Sequence, residues 1–328
     1  MVVPAFNAAA YLTRCLDALA QSSIAFEWIV VDDASTDPAS IAVMQRAGAG
    51  YLRLEQNGGP GVARNAGARK ASGEVVVFID SDVIVTRNTI EELARVFVEE
   101  PGVDACFGSY DETPDATSVV STYRNLLHHY VHQTGPRNAT TFWAGCGAIR
   151  REVFLALGGY DERFSRPSIE DIELGMRLCA AQHVIRLAPK IQVKHLKRWR
   201  LCEMIRVDVA CRAIPWTHLV RERPGTGGDL NLARAQKLCV VFVFLALLAV
   251  PLSIAAGALG FGWCWLCAPL GLVAPILWIN RGFYALLARL RGGLFMLAGV
   301  ALHLLYYIYG GLAFLWAQAT HEKGRDVV

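Results

Sequence analysis

The sequence predicts an α/β domain with a mostly parallel sheet covered by helices on both faces, followed by C-terminal transmembrane helices. Three observations carry this. Short apolar runs alternate with segments of helical period over the first part of the chain. Three of those runs end in Pro4-Ala5-Phe6-Asn7, Asp32-Asp33 and Asp80-Ser81-Asp82. No Asp, Glu, Lys or Arg occurs between Lys237 and Arg281, or between Arg291 and His321, and uncharged runs of that length suit a lipid core. Of 328 residues, 54% are hydrophobic and 19% charged, where a soluble domain carries about 25% charged.

The elements follow in order. Val2–Pro4 is a first strand, and Ala9–Gln21 a helix with Leu12, Cys15, Leu16 and Leu19 on one face. A second strand, 27–31, runs into Asp32-Asp33, and Ala34–Pro38 opens the next helix with cap-type residues and an early proline. Tyr51–Leu54 is a short strand, Asn57–Gly61 a flexible turn, Val62–Ala71 a helix, and Glu74–Asp80 a strand. Beyond Arg95 the pattern loosens, then resumes with a helix over Ile169–Ala181 and strands over Val184–Leu187 and Ile191–His195. Residues 199–211, with Arg198, Arg200, Arg206 and Arg212 around apolar positions, suggest an amphipathic helix able to lie on a bilayer. The predicted domains are therefore 1–197, a juxtamembrane segment 198–236, and a membrane region 237–328 with helices near 238–258, 262–280 and 294–317.

The 43 uncharged residues 238–280 make roughly 65 Å of helix at ~1.5 Å per residue, two crossings of a ~30 Å core. Gly257, Gly260 and Gly262 mark the break, and Arg234, Lys237, Arg281, Arg289 and Arg291 flank the pair on the outside. A hairpin with both ends cytoplasmic follows from that asymmetry. The third segment either crosses or lies at the surface. Met1 runs into VVPAFNAAA without a basic leader, which reads as a domain kept in the cytoplasm, at the inner membrane. A net charge of +3 gives no reason to expect nucleic acid. The nine cysteines are irregularly spaced and read as small hydrophobes, Cys264 and Cys267 included.

In α/β sheets of this kind ligands sit beyond the carboxyl ends of the strands, so the three strand ends open onto one crevice. Asp80 and Asp82 are i and i+2 in extended chain and point the same way. Two hard oxygens there suit Mg²⁺ or Mn²⁺ on a phosphorylated substrate. Locally, Ser168-Ile169-Glu170-Asp171 is a capping box, in which Asp171 reaches back to the helix start.

VVPAFNA, IVVDDASTD, NGGPGVARNAGARKASGEVVVFIDSD and GGYDERFSRPSIEDIELGMRL, in this order, resemble glycosyltransferase family 2 on the GT-A fold, over about residues 2–200. The resemblance implies a nucleotide-sugar donor, a UDP- or GDP-sugar, a divalent cation, and inversion by direct displacement. It places the donor on Pro4, Ala5, one of Asp32 and Asp33, Arg64, Asp80, Ser81 and Asp82. The metal falls to Asp80, Asp82 and His195, and the general base to Asp171 beside Glu170. A helix N-terminus would keep that carboxylate ionised. Trp143, Gly145 and Cys146 match the acceptor wall, with small residues letting a sugar approach the backbone. His195-Leu-Lys-Arg198-Trp199 is similar to the Q-x-x-R-W of processive synthases, with His for Gln; Trp199 would stack on an acceptor sugar and Arg198 face the pyrophosphate. The leading reading is transfer to a lipid or lipid-linked acceptor. A processive polysaccharide synthase and a non-catalytic nucleotide-binding membrane protein are the alternatives.

Overall fold

The structure, a computed structural model, describes residues 1–46, 48, 50–222, 234–261 and 263–320, without the side chain at 263. Its first part is β1 (Val2–Ala5), α1 (Ala9–Leu19), β2 (Ile29–Asp32), α2 (Pro38–Arg46), β3 (Gly50–Arg53), α3 (Pro60–Lys70) and β4 (Val75–Ile79). These four strands are all parallel, in the order β3-β2-β1-β4. Successive residues serve opposite faces, as an extended chain requires. Val3 and Val30 face the core under α1, with Leu12, Leu16 and Leu19. Val2, Ile29 and Val31 face the other core, with Ala63 and Ala68 of α3. Gly67 lets α3 settle, because a Cβ there would lie 2.4 Å from Val2 Cγ1.

The second part is β5 (Val83–Ile84), α4 (Thr89–Glu99), β6 (Ala105–Tyr110), α5 (Val119–Thr134), β7 (Asn138–Ala139), β8 (Cys146–Arg150), α6 (Arg151–Ala156), α7 (Glu170–Ala180) and β9 (Ile185–His195). The full order is β3-β2-β1-β4-β8-β6-β9-β5, with β7 on β9. Here the expectation of a mostly parallel sheet needs correcting. β8 is antiparallel to both β4 and β6, and β5 and β7 are antiparallel to β9; in this half only β6 and β9 run parallel. A strand buried on both faces reads as a continuous apolar run whichever way it runs, so direction is not visible in its residues. The two strands expected over 184–195 are one, and the pairing shifts register between Phe107 and Ser109. The intervening Gly108 has room for no side chain: a Cβ would fall 2.3 Å from the Ile191 carbonyl oxygen.

The C-terminal part is helical. It comprises α8 (Leu201–Asp208), a π-helical turn (Val209–Ala213), α9 (Ile214–Glu222), α10 (Arg234–Ala258), a tight turn over 263–266, α11 (Cys267–Ile279), α12 (Arg281–Arg291) and α13 (Gly293–Thr320). The amphipathic helix expected over 199–211 is α8 with the π turn, which buries Met204 and Asp208. α10 and α13 are long and apolar enough to cross a membrane, and a third candidate is broken by a 76° bend between α11 and α12. Gly260, at φ +87°, turns the chain after α10, while Gly262 and residues 223–233 of the expected juxtamembrane segment lie outside the described residues. α12 was not anticipated. It buries Phe283, Tyr284 and Leu287 together with Tyr123 and Leu126 of α5, and its arginines cluster at the ends. α13 is tied to α8 and α9, with Tyr309 donating to Asp208 Oδ2 (2.7 Å) and Arg221 Nη1 donating to Gln318 Oε1 (2.8 Å).

Candidate active site

β2, β1 and β4 are neighbours and parallel, so the three acid- or turn-bearing ends emerge side by side. Pro4 and Ala5 are buried at the end of β1. Beyond them Asn7 takes a left-handed conformation, φ 47°. Its Oδ1 accepts from the N–H groups of Thr36 and Asp37, both at 2.9 Å, stitching the first loop to the second. Asp32 is fully buried and saturated by the Ser35 N–H, the Tyr51 hydroxyl and the Arg53 guanidinium. Asp33 accepts from the N–H groups of Gly58 and Gly59, each at 2.9 Å, and from Asn57 Nδ2 at 3.0 Å. Burial raises the Asp33 carboxyl above its usual range against those donors. Both acids thus hold the loops that frame the crevice.

The Asn57–Gly61 turn, read as merely flexible, is a fixed device. Gly59 sits at φ +88° as the residue before α3, and a Cβ there would lie 2.6 Å from the Ser165 carbonyl oxygen. Gly59→Ala should therefore cost about 1–3 kcal/mol and loosen Asp33. Thermal unfolding of the purified protein, read against donor affinity, checks this; unchanged stability would refute the strain.

Arg64, 4% exposed, connects the two halves of the site. Its Nη2 donates to Asp80 Oδ1 at 2.6 Å and its Nη1 to Glu170 Oε1 at 3.1 Å, with the guanidinium over the Tyr160 ring. One strand-end acid, Asp80, is thereby joined to Glu170 at the start of α7. Asp82 turns the other way, its Oδ2 lying 3.5 Å from His195 Nε2. Burial would raise Asp82, but His195 and Lys197 hold it below the usual carboxylate range. His195 is buried and stacked on Tyr110, ring centres 4.2 Å apart. Ser81 lies between, half-buried.

A divalent cation finds suitable donor chemistry in two carboxylates and an imidazole, a mixed O/N set acceptable to Mn²⁺. As placed, Asp82 and His195 meet while Asp80 is committed to Arg64, and no three acids, histidines or cysteines converge on one point among the described residues. The residues fit the ion in kind; Asp80 has to leave Arg64 to complete the set.

The helix start departs from the capping box. Ser168 Oγ donates to the Cys211 carbonyl (2.7 Å), and the residue at the cap position, Ile169, offers no side-chain acceptor. Instead Glu170 Oε2 accepts from the Ser168 N–H at 2.8 Å. Asp171 is not kept strongly acidic by its helix: burial, then the neighbouring Glu170, push it up to about 7, against the charges of Arg64 and Arg212. Burial outweighs the helix terminus here.

On the acceptor side several expectations fail. Cys146 is fully buried in the sheet core. The space over Gly145 is taken by the Trp143 indole, 2.4 Å from where a Cβ would stand. Trp199 is buried, with Lys197 Nζ 4.1 Å above its ring and Ser121 Oγ accepting its backbone N–H, so it offers no face to a sugar. Arg198 is exposed and its charge falls on Asp115. Trp143 instead stands edge-on to Tyr110, ring centres 4.8 Å apart.

Sequence reasoning missed Tyr110, Arg124 and Asp208, and it placed Arg212 only on a membrane-facing helix. Tyr110 lies between His195 and His128, the latter ring centre at 4.4 Å, and its environment is set by Asp82, Asp80 and Arg212. Arg124 grips buried Asp208 with both terminal nitrogens. No local pattern marks these residues, because the topology alone brings α5 and the π turn together.

Residues 1–158 match the family described as "Glycosyl transferase family 2". The poly(ribitol-phosphate) beta-N-acetylglucosaminyltransferase TarS of Staphylococcus aureus (strain Mu50 / ATCC 700699) is 36% identical over 107 residues, covering 30% of this chain and 18% of TarS. Glycosyltransferase GlyG of Streptococcus pneumoniae serotype 4 is 37% identical over 115 residues, 34% of this chain and 38% of GlyG. The chain thus spans well under half the length of these relatives. Among solved structures, the mannosyltransferase PcManGT of Pyrobaculum calidifontis, in complex with GDP-Man and Mn²⁺, superposes with a TM-score of 0.59 at 18% identity, covering 96% of this chain and 86% of that one. The fold is shared with that structure, and residues 1–158 are similar to the glycosyl transferase family 2.

Proposed function

We propose that the chain is an inverting, metal-dependent glycosyltransferase. It moves a sugar from a UDP- or GDP-sugar to a lipid or lipid-linked acceptor, at the cytoplasmic face of a membrane that its C-terminal helices enter. The observation that carries this reading is the Arg64 bridge, which joins Asp80 to Glu170, next to Asp171, in one cleft. Relatives named as glycosyltransferases and a structural neighbour solved with GDP-Man and Mn²⁺ support the donor class.

In this reading the loops after β1 and β2 hold the nucleoside, framed by Pro4, Ala5, Asp32 and Asp33. Asp82 and His195, joined by Asp80, would hold the cation, whose chemistry when bound is to neutralise the departing diphosphate. Arg64, planar and always charged, is released toward phosphate when Asp80 turns away. Asp171 takes the proton of the acceptor hydroxyl on the side of the sugar away from the nucleotide. A carboxyl near pH 7 in its pKa is well placed for that, since it is substantially ionised in the cell yet basic enough to pull.

A panel of nucleotide sugars, offered with Mn²⁺ or Mg²⁺ and native lipid extract, tests the reading. Labelled sugar should enter the organic phase with at least one donor, and chelation of the metal should slow transfer by roughly a hundredfold, the scale of several kcal/mol of lost charge stabilisation. Metal-dependent donor binding without hydrolysis or transfer would instead support a non-catalytic role, and long products a processive synthase.

A further inference from the structure

Arg212 projects from the π-helical turn that separates α8 from α9. Among the described residues its ion pair is with Asp208 Oδ1 at 3.8 Å, too long for a hydrogen bond. Asp208 is already engaged by both terminal nitrogens of Arg124 and by the Tyr309 hydroxyl. One carboxylate thus serves two guanidiniums, and Asp171 is the further acid whose charge reaches Arg212. The Arg212 side chain stays 46% exposed, so its donors are available to a ligand.

The turn is held in place from two sides. The Cys211 carbonyl accepts from Ser168 Oγ at 2.7 Å, three residues before Asp171. Asp208, at the other end, is clamped to α5 and α13 through Arg124 and Tyr309. A π turn widens the backbone ring and leaves carbonyls unpaired, and such turns recur at functional sites. Here a carbonyl of that turn, Cys211, is the anchor to the segment just before Asp171. The charge of Arg212 accordingly falls on Asp171 and Tyr110. The π turn that carries Arg212 also packs against the apolar α13.

We infer that Arg212 binds the anionic group of the acceptor, a phosphate carried on a lipid, and so presents the nucleophile to Asp171. This deepens the proposed transferase reading and rests on it. A planar, accessible guanidinium suits phosphate oxygens. Substrate for this enzyme would then come from a reaction that phosphorylates or diphosphorylates a lipid alcohol.

The test compares wild type, Arg212→Gln, Arg212→Lys and the exposed control Arg206→Gln, using the full chain in phosphatidylcholine vesicles with and without a long-chain isoprenyl monophosphate. Arg212→Gln should raise the KM for the phospholipid acceptor roughly tenfold, the effect of losing a charge-assisted hydrogen bond, with the donor KM changed by less than about twofold. Arg212→Lys should recover part of the loss, and it serves as the probe should the Gln variant not fold. Arg206→Gln should leave the acceptor KM near wild type. An equal rise in donor KM would assign Arg212 to the donor diphosphate and overturn the inference. An equal effect of Arg206→Gln would reduce it to general surface charge and overturn it too. Wild type without any transfer would sink the transferase reading itself, whereas active wild type with an indifferent Arg212→Gln sinks only this inference.

Discussion

Asp171→Asn is expected to abolish transfer, by about 10²–10⁴-fold, while donor binding survives. The amide keeps the shape and loses the basicity. The sign of the pH dependence follows from the carboxyl being pushed up to about 7 by burial and Glu170. Below that value Asp171 holds its proton and cannot accept another, so the rate should rise about tenfold per pH unit up to near 7 and level off above. The stability consequence runs the other way. A carboxyl whose folded pKa is raised favours folding only while protonated, and that contribution is lost as pH rises from about 4 through 7. Asp171→Asn should therefore unfold at the same or a higher temperature than wild type at pH 8. Rate profiles and thermal unfolding across pH 5.5–8.5 check both; an active Asn variant would remove Asp171 as the base.

Arg64→Met is the second large effect. The guanidinium is buried and carries two carboxylates, Asp80 at 2.6 Å and Glu170 at 3.1 Å. Removing it leaves two acids facing each other without a cation, a loss of about 3–5 kcal/mol when one partner of a buried pair goes. Added Mn²⁺ should restore part of the lost stability, because the ion takes over the charge at Asp80. That rescue separates a role at the metal from simple packing. A variant as stable as wild type, or one indifferent to Mn²⁺, would show that the bridge does not organise the cleft.

Much of the first half was legible. Val2–Ala5, Ile29–Asp32 and Val75–Ile79 stand where their apolar runs predict, because a parallel strand buried on both faces leaves few choices of residue. The strand ends lie side by side, but their acids turn to different partners, Asp80 to Arg64 and Asp82 to His195. Strand direction in the second half was not legible, since β8 is as apolar on both faces as β4. The capping box failed for a related reason: Ser168 finds a carbonyl 43 residues away, at Cys211, and local pattern cannot see a partner that distant. Trp199 was misjudged because an aromatic beside basic residues looks like a stacking surface, while its neighbours, Lys197 and Arg124, in fact cover it. α12 escaped notice because three arginines around a short apolar stripe resemble a connecting loop.

The strand order has a bearing on biosynthesis. β4 pairs on one edge with β1, which precedes it, and on the other with β8, so 66 residues separate the end of β4 at Ile79 from the start of its second partner at Cys146. At ~5–20 residues per second on the ribosome, that gap lasts roughly 3–13 s. During this interval the nascent chain carries Val75-Val-Val-Phe-Ile79 as an open, apolar border, the kind that pairs with other chains. Chaperone capture of the unfinished polypeptide should therefore peak between the emergence of β4 and that of β8, before any apolar C-terminal helix has been made.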